Sequence, residues 1–99
     1  MNSIKNKSKK SEKEKQLWLK QLGGKIKELR ELQGMSQADV AYAIGMDAQN
    51  ISRIERGLVS PAAYAVYKII TSLGSNLEKF YSSLKWQFIN CYCFGEIQL

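Results

Sequence analysis

The stretch QADVAYAIGMDAQNISRIER, from Gln37 to Arg56, constrains this chain more than any other. Ser36 is a favourable N-cap, and Asp39 stands three residues on, a capping box with Asp in place of Glu. Acid in the first turn also suits the helix dipole. Val40, Ala41 and Ile44 then fall at helical spacing and form one apolar stripe. Gly45 follows at once and tolerates the left-handed backbone that stops a helix abruptly. Met46 plugs the corner, and Asp47 is a second N-cap. In the helix it opens, Ile51 and Ile54 point inward, Ala48 packs near the corner, and Gly57 closes the segment after Arg56. The spacing predicts two short helices meeting at a sharp angle across a glycine turn.

The outer face of the second helix carries Gln49, Asn50, Ser52, Arg53 and Arg56. Gln and Asn pair bidentately with adenine, and Arg with guanine, at the base edges of the DNA major groove. An ordinary solvated helix carries the same residue types. What favours base reading is the preceding helix and the glycine turn, which present this face as a unit.

From about Leu22 to Tyr81, some sixty of the 99 residues, the chain resembles the phage-repressor (Cro/C1-type, XRE) helix-turn-helix family. The matching positions are Ile26, Leu29, Arg30, Gly34, Ser36, Gln37, Val40, Ala41, Ile44 and Gly45. The run Ile51-Ser52-Arg53-Ile54-Glu55-Arg56-Gly57 continues the match, followed by Pro61, Leu73, Gly74 and Leu77. The resemblance implies that Gln37 contacts a DNA phosphate and that Ala48, Gln49, Asn50 and Arg53 face the bases. It also implies an Arg30–Glu55 ion pair tying the first helix to the third, and phosphate contacts just after Gly57. Two departures stand out. Ala48 offers no hydrogen bond, only contact with a thymine methyl. Leu58 and Val59 occupy a loop where a basic residue is common.

A chain of 99 residues holds one domain with a modest core. Its net charge of +6 fits a polyanionic partner. No apolar run reaches the ~20 residues of a membrane span, and the basic N-terminus lacks a signal-peptide core. Cys91 and Cys93 are too close for an ordinary disulfide, which points to a reducing, cytoplasmic setting.

Residues 1–13 read as a disordered basic arm. Lys5 to Lys15 holds six Lys against two Glu, either an arm along DNA phosphates or a solubilising tail. The domain proper is expected over 14–84. A first helix from about Glu14 to Gln33 carries an inner stripe of Leu17, Trp18, Leu22, Ile26 and Leu29, and stays continuous through Gly23 and Gly24. Ser60 is the expected cap of a fourth helix with Pro61 at its first position. Its buried residues are Ala62, Ala63, Ala65, Val66, Ile69, Ile70 and Leu73. A box from Ser75 to Glu78 is the expected cap of a fifth helix, with Leu77, Phe80, Tyr81 and Leu84 on its apolar face.

The tail, 85–99, is aromatic. Trp86 and Phe88, then Tyr92 and Phe94, alternate as strand residues do. Such a surface past a complete domain needs cover. It forms a homodimer interface, which the two half-sites read by such repressors favour, or packs on its own domain, or binds a protein partner through the 80–99 region.

Enzyme chemistry fits poorly. The chain has no His, and two thiols fall short of a zinc site, so neither catalytic residues, metal nor cofactor are expected. The sequence therefore reads as an all-α, five-helix repressor-like domain that binds double-stranded DNA and regulates transcription, most simply as a repressor. Gln49, Asn50, Arg53 and Ala48 face bases. Gln37, Ser52, Arg56, Lys25 and Lys27 hold phosphates. The alternative is an antitoxin or other protein-interaction module that also binds its own promoter.

Overall fold

The computed structural model describes the backbone of residues 2–88 and the side chains of residues 11–82. Within that span there are five α-helices and no strand: α1 (Asn2–Leu32), α2 (Gln37–Ile44), α3 (Ala48–Glu55), α4 (Ala63–Ser72) and α5 (Leu77–Phe88). The expected all-α five-helix domain is what forms.

The short helices are bounded as their residues dictate. The Ser36 hydroxyl accepts the Asp39 amide at 3.0 Å, and the Asp39 carboxylate accepts the Ser36 amide at 2.9 Å, completing the capping box. These bonds hold the Asp39 carboxyl below its ordinary range, the backbone amide contributing most. Gly45, at φ +71°, ends α2, and the Met46 amide reaches back to the Ala41 carbonyl at 2.8 Å. Asp47 then caps α3 through the Gln49 amide at 3.2 Å.

The core is one cluster drawn from all five helices, including Leu22, Ile26, Val40, Ile51, Ile69, Ile70 and Phe80. α1 supplies Leu19, Leu22 and Ile26, an i, i+3, i+7 stripe. Leu19 replaces the expected Leu17, which is only half-buried. Gly23 lies on the same side and sets the approach of α1 to α3. A Cβ there would stand 2.5 Å from the Glu55 carbonyl oxygen and closer still to that of Ile54. Two helix backbones therefore meet where only glycine fits.

Four boundaries differ from the sequence reading. α1 begins at Asn2, so residues 2–13, expected as a disordered arm, continue the helix. Nothing before Gly23 breaks it, and Lys and Glu are good helix formers. α4 begins at Ala63, with Ala62 in its cap position and no side-chain cap bond. Ser60 and Pro61 instead belong to the connection from α3, and Ala62 and Ala63 are exposed. The cap of α5 is Asn76, whose Oδ1 accepts the Lys79 amide at 2.8 Å. Ser75 stands one residue too early for a helix that begins at Leu77, and its amide instead closes α4, donating to the Ile70 carbonyl at 3.1 Å beyond the left-handed Gly74. Last, α5 runs to Phe88, so Trp86 and Phe88 are helical rather than strand-like and the expected 84/85 boundary falls inside a helix. Cys91, Tyr92, Cys93 and Phe94 lie outside the described residues.

Two adjacent glycines give opposite expectations. Gly23→Ala drives a methyl into the α3 backbone and should destabilise by about 3 kcal/mol or more. Gly24→Ala meets nothing within 4 Å and should stabilise by roughly 0.5–1 kcal/mol through helix propensity. Urea unfolding of the two variants checks both signs. At Asp39, the depressed pKa means its contribution is full above the unfolded carboxylate range and is lost as pH falls through the folded value. Asp39→Asn should flatten the acid limb of a melting-temperature profile and leave its alkaline limb unchanged.

Candidate nucleic-acid interface

α3 has two chemically distinct sides. Ile51, Ile54 and Glu55 are buried, while Gln49, Asn50 and Arg53 are exposed. The buried side is fixed by Glu55, which is only 7% exposed. Arg30 donates from Nε to Glu55 Oε2 at 2.6 Å and from Nη2 to Oε1 at 3.0 Å, a bidentate fork. Its Nη1 donates to the Met35 carbonyl at 2.8 Å. Gln37 Nε2 donates to the same Oε1 at 3.0 Å. One carboxylate thus joins the end of α1, the α1–α2 turn, the start of α2 and the end of α3. The bond to Glu55 raises the Arg30 pKa, with burial opposing it, so the guanidinium stays charged across the usable pH range. By the sign of that shift, stability from this group is full below the unfolded arginine pKa and is lost only as pH rises through the folded value.

On the exposed side, Gln49, Asn50 and Arg53 lie on one face of α3. Arg53 Nη1 donates to Asn50 Oδ1 at 3.3 Å, one turn along α3. Ala48 is half-buried against the core at the corner, so its methyl is shared between packing and surface. Arg56 is exposed and folds back, its Nε donating to the Ser52 carbonyl at 3.3 Å; Ser52 itself is half-buried. Gln37 is half-buried, with one amide hydrogen spent on Glu55. Leu58 and Val59, 61% and 38% exposed, stand at the surface in the α3–α4 connection.

The two α1 lysines separate. Lys27 is exposed, on the side of α1 that carries Gly23 and meets α3. Lys25 pairs with Glu28 at 3.6 Å and sits seven residues from Trp18, whose ring stacks on Tyr81 of α5. The sequence reading missed Lys20. It is exposed, seven residues before Lys27, and its backbone abuts Gly57: a Cβ on that glycine would stand 2.9 Å from the Lys20 Cα. The seven-residue spacing was the available signal.

Among the described residues no cluster of three or more His, Cys, Asp or Glu has metal-binding geometry. No helix there is long and apolar enough to cross a membrane.

A buried, pinned inner face and a polar outer face on a short helix that follows a glycine corner define the helix-turn-helix class. A helix-turn-helix family model matches residues 26–80, more than half of the chain, and the chain belongs to that family, as the resemblance to Cro/C1-type proteins implies. The HTH-type transcriptional regulator PuuR of Escherichia coli K12 is 37% identical over 60 residues, 61% of this chain and 32% of that protein. The chain thus spans about a third of the length of the curated relatives it matches. The restriction-modification controller protein C.Esp1396I, solved as a tetramer with its natural 35 base-pair operator, superposes with a TM-score of 0.66 at 28% identity. That match covers 73% of this chain and 95% of the controller. The clp gene regulator ClgR from Corynebacterium glutamicum superposes with a TM-score of 0.69 at 15% identity, over 82% and 86% of the two chains, a likeness of fold.

The Glu55 hub makes a sharp mutational forecast. Arg30→Met leaves a buried carboxylate without its main partner and should cost about 3–5 kcal/mol, as should Glu55→Leu for the reverse reason. The double variant should recover most of that loss, because two apolar side chains of similar volume leave no buried charge. Chemical unfolding of the four proteins of this cycle checks the coupling.

Proposed function

We propose that this chain is a sequence-specific, double-stranded DNA-binding transcription regulator, most simply a repressor, that inserts α3 into the major groove. The observation that carries the reading is the division of α3: Gln49, Asn50 and Arg53 exposed, over an inner face held by Ile51, Ile54 and the Arg30–Glu55 pair. A helix is about 10–12 Å across with its side chains, which fits the major groove of about 12 Å width. Exposed Gln, Asn and Arg match the donor and acceptor pattern found there.

Around this reader we assign the positioning contacts. Gln37 has a second amide hydrogen for a phosphate, and Ser52 and Arg56 flank the outer side of α3. Lys27 extends the basic surface along α1, and Lys20 joins it. Lys25, paired with Glu28, is the weakest of the set. Ala48 contributes at most contact with a thymine methyl. The exposed Leu58 and Val59 add no charge where basic residues would hold phosphate, so affinity rests more on α3 itself. The protein acts by binding rather than by catalysis, and the reading places it in the cytoplasm with its DNA.

A single short helix in one groove buries little surface, so a homodimer reading two half-sites is the form we propose. The controller C.Esp1396I, an oligomer on its operator, supports that arrangement. The aromatic region that follows Phe80, which is itself spent on the core, is the proposed contact between copies.

Selection from a random duplex library near physiological salt tests the reading. An inverted repeat with half-sites about one helical turn apart is the expected outcome. Enrichment of nothing, with binding that collapses as salt rises, would reduce the interaction to charge attraction and overturn it. On the enriched site Arg53→Ala should lose roughly 1–3 kcal/mol and relax one base position. An equal loss on unrelated DNA would mean that Arg53 only holds phosphate.

A further inference from the structure

Asn50 and Arg53 are joined on the exposed face of α3, and the bond has a direction. Arg53 is the donor and the Asn50 carbonyl oxygen the acceptor, at 3.3 Å. A bidentate contact to adenine asks that same oxygen to accept from the adenine amino group while the amide NH2 donates to N7. With a guanidinium on it, the oxygen is a weakened acceptor, and the pair presents donors. Arg53 keeps four of its five N–H donors, enough for the fork that fits guanine O6 and N7.

The surroundings sharpen this division. The acids closest in sequence to Arg53 are already engaged. Glu55 is buried under Arg30 and Gln37, and Asp47 caps the Gln49 amide. The only side-chain acceptor that Arg53 meets among the described residues is the neutral amide of Asn50. A neutral partner orients a guanidinium without neutralising it, so the full positive charge still faces outward. An exposed arginine otherwise loses much rotamer freedom on binding, and fixing one of its N–H groups in the free protein lowers that loss.

We infer that Asn50 is a positioning residue for Arg53, and that the two form a single reading unit for guanine rather than separate readers of adenine and guanine. This rests on the DNA-binding reading above and adds to it the base that the site selects.

The test uses the duplex most enriched in the library selection and its single-base-pair variants, with binding read by fluorescence anisotropy. The proteins are the full chain and the variants Arg53→Ala, Asn50→Leu and Asn50→Asp. Asn50 is exposed, and thermal melting confirms that each variant is folded. The wild type should prefer guanine at the Arg53 position by roughly 10- to 100-fold. Arg53→Ala should abolish that preference, and Asn50→Leu should remove most of it at the same base pair. Asn50→Asp keeps an acceptor for Arg53, so it should bind every duplex more weakly yet retain the guanine preference. Two results overturn the inference while leaving DNA recognition intact. One is an Asn50→Leu variant that relaxes a different base pair, an adenine, with the guanine preference unchanged. The other is an enriched site without guanine under Arg53. A wild type with no sequence preference at all overturns the functional reading itself, and is distinguished by needing no variant to see it.

Discussion

Glu55 sits where three helices and a turn meet, and it is the constraint on which the remaining geometry depends. A buried carboxylate without partners is costly, and here both of its oxygens are occupied. Arg30 alone would tie α1 to α3. Its third bond, to the Met35 carbonyl, also fixes the turn into α2, and Gln37 adds the first residue of α2 itself. The network therefore sets the position of α3 relative to the helix that precedes it. Gly23 removes the last obstacle by letting the α1 and α3 backbones touch beside the ion pair. A buried ion pair is weak evidence for net stability. Its effect here is geometric: it makes one placement of α3 much better than its neighbours.

That placement explains how eight residues suffice for the proposed reader. The inner side of α3 spends Ile51, Ile54 and Glu55 on the core, and the polar outer side carries no structural duty beyond the Asp47 cap. Residues facing outward are thus free to change without disturbing the fold, while the frame behind them stays fixed. The same logic separates the lysines of α1. Lys20 and Lys27 share the side that meets α3, whereas Lys25 stands seven residues from Trp18 and is paired locally with Glu28.

Much of this was legible in the sequence because the signals are local. Ser36 with Asp39, Gly45 and Asp47 each act within one turn, and the structure has every one of them as read. The Arg30–Glu55 pair came from resemblance, since nothing in a spacing of 25 residues announces a contact. Gln37 illustrates the limit: the resemblance implies a phosphate ligand there, and only packing reveals its bond to Glu55. Leu17 and Leu19 flank Trp18 and stand two residues apart, about 200° of helix rotation, so they lie on different faces of α1. The choice between them is made by where α1 meets α3, at Gly23. Ser75 and Asn76 are both good caps, and the difference is one of register: the Ser75 amide still belongs to the end of α4, so the first residue left to open α5 is Asn76. At the N-terminus, composition suggested a solvated arm but carried no information against helix, and α1 simply continues.

The central claim is that α3, held by the Glu55 network, is the surface that meets DNA. A titration of isotope-labelled protein with the enriched duplex, followed by backbone amide NMR, measures this most directly. The account predicts the largest shifts at Gln37 and across Gln49 to Arg56, with smaller ones along the α3–α4 connection and at Lys20 and Lys27. The Tyr64–Tyr67 face of α4 should stay nearly unchanged. Largest shifts on that tyrosine face or on α5, with α3 unaffected, would contradict the account.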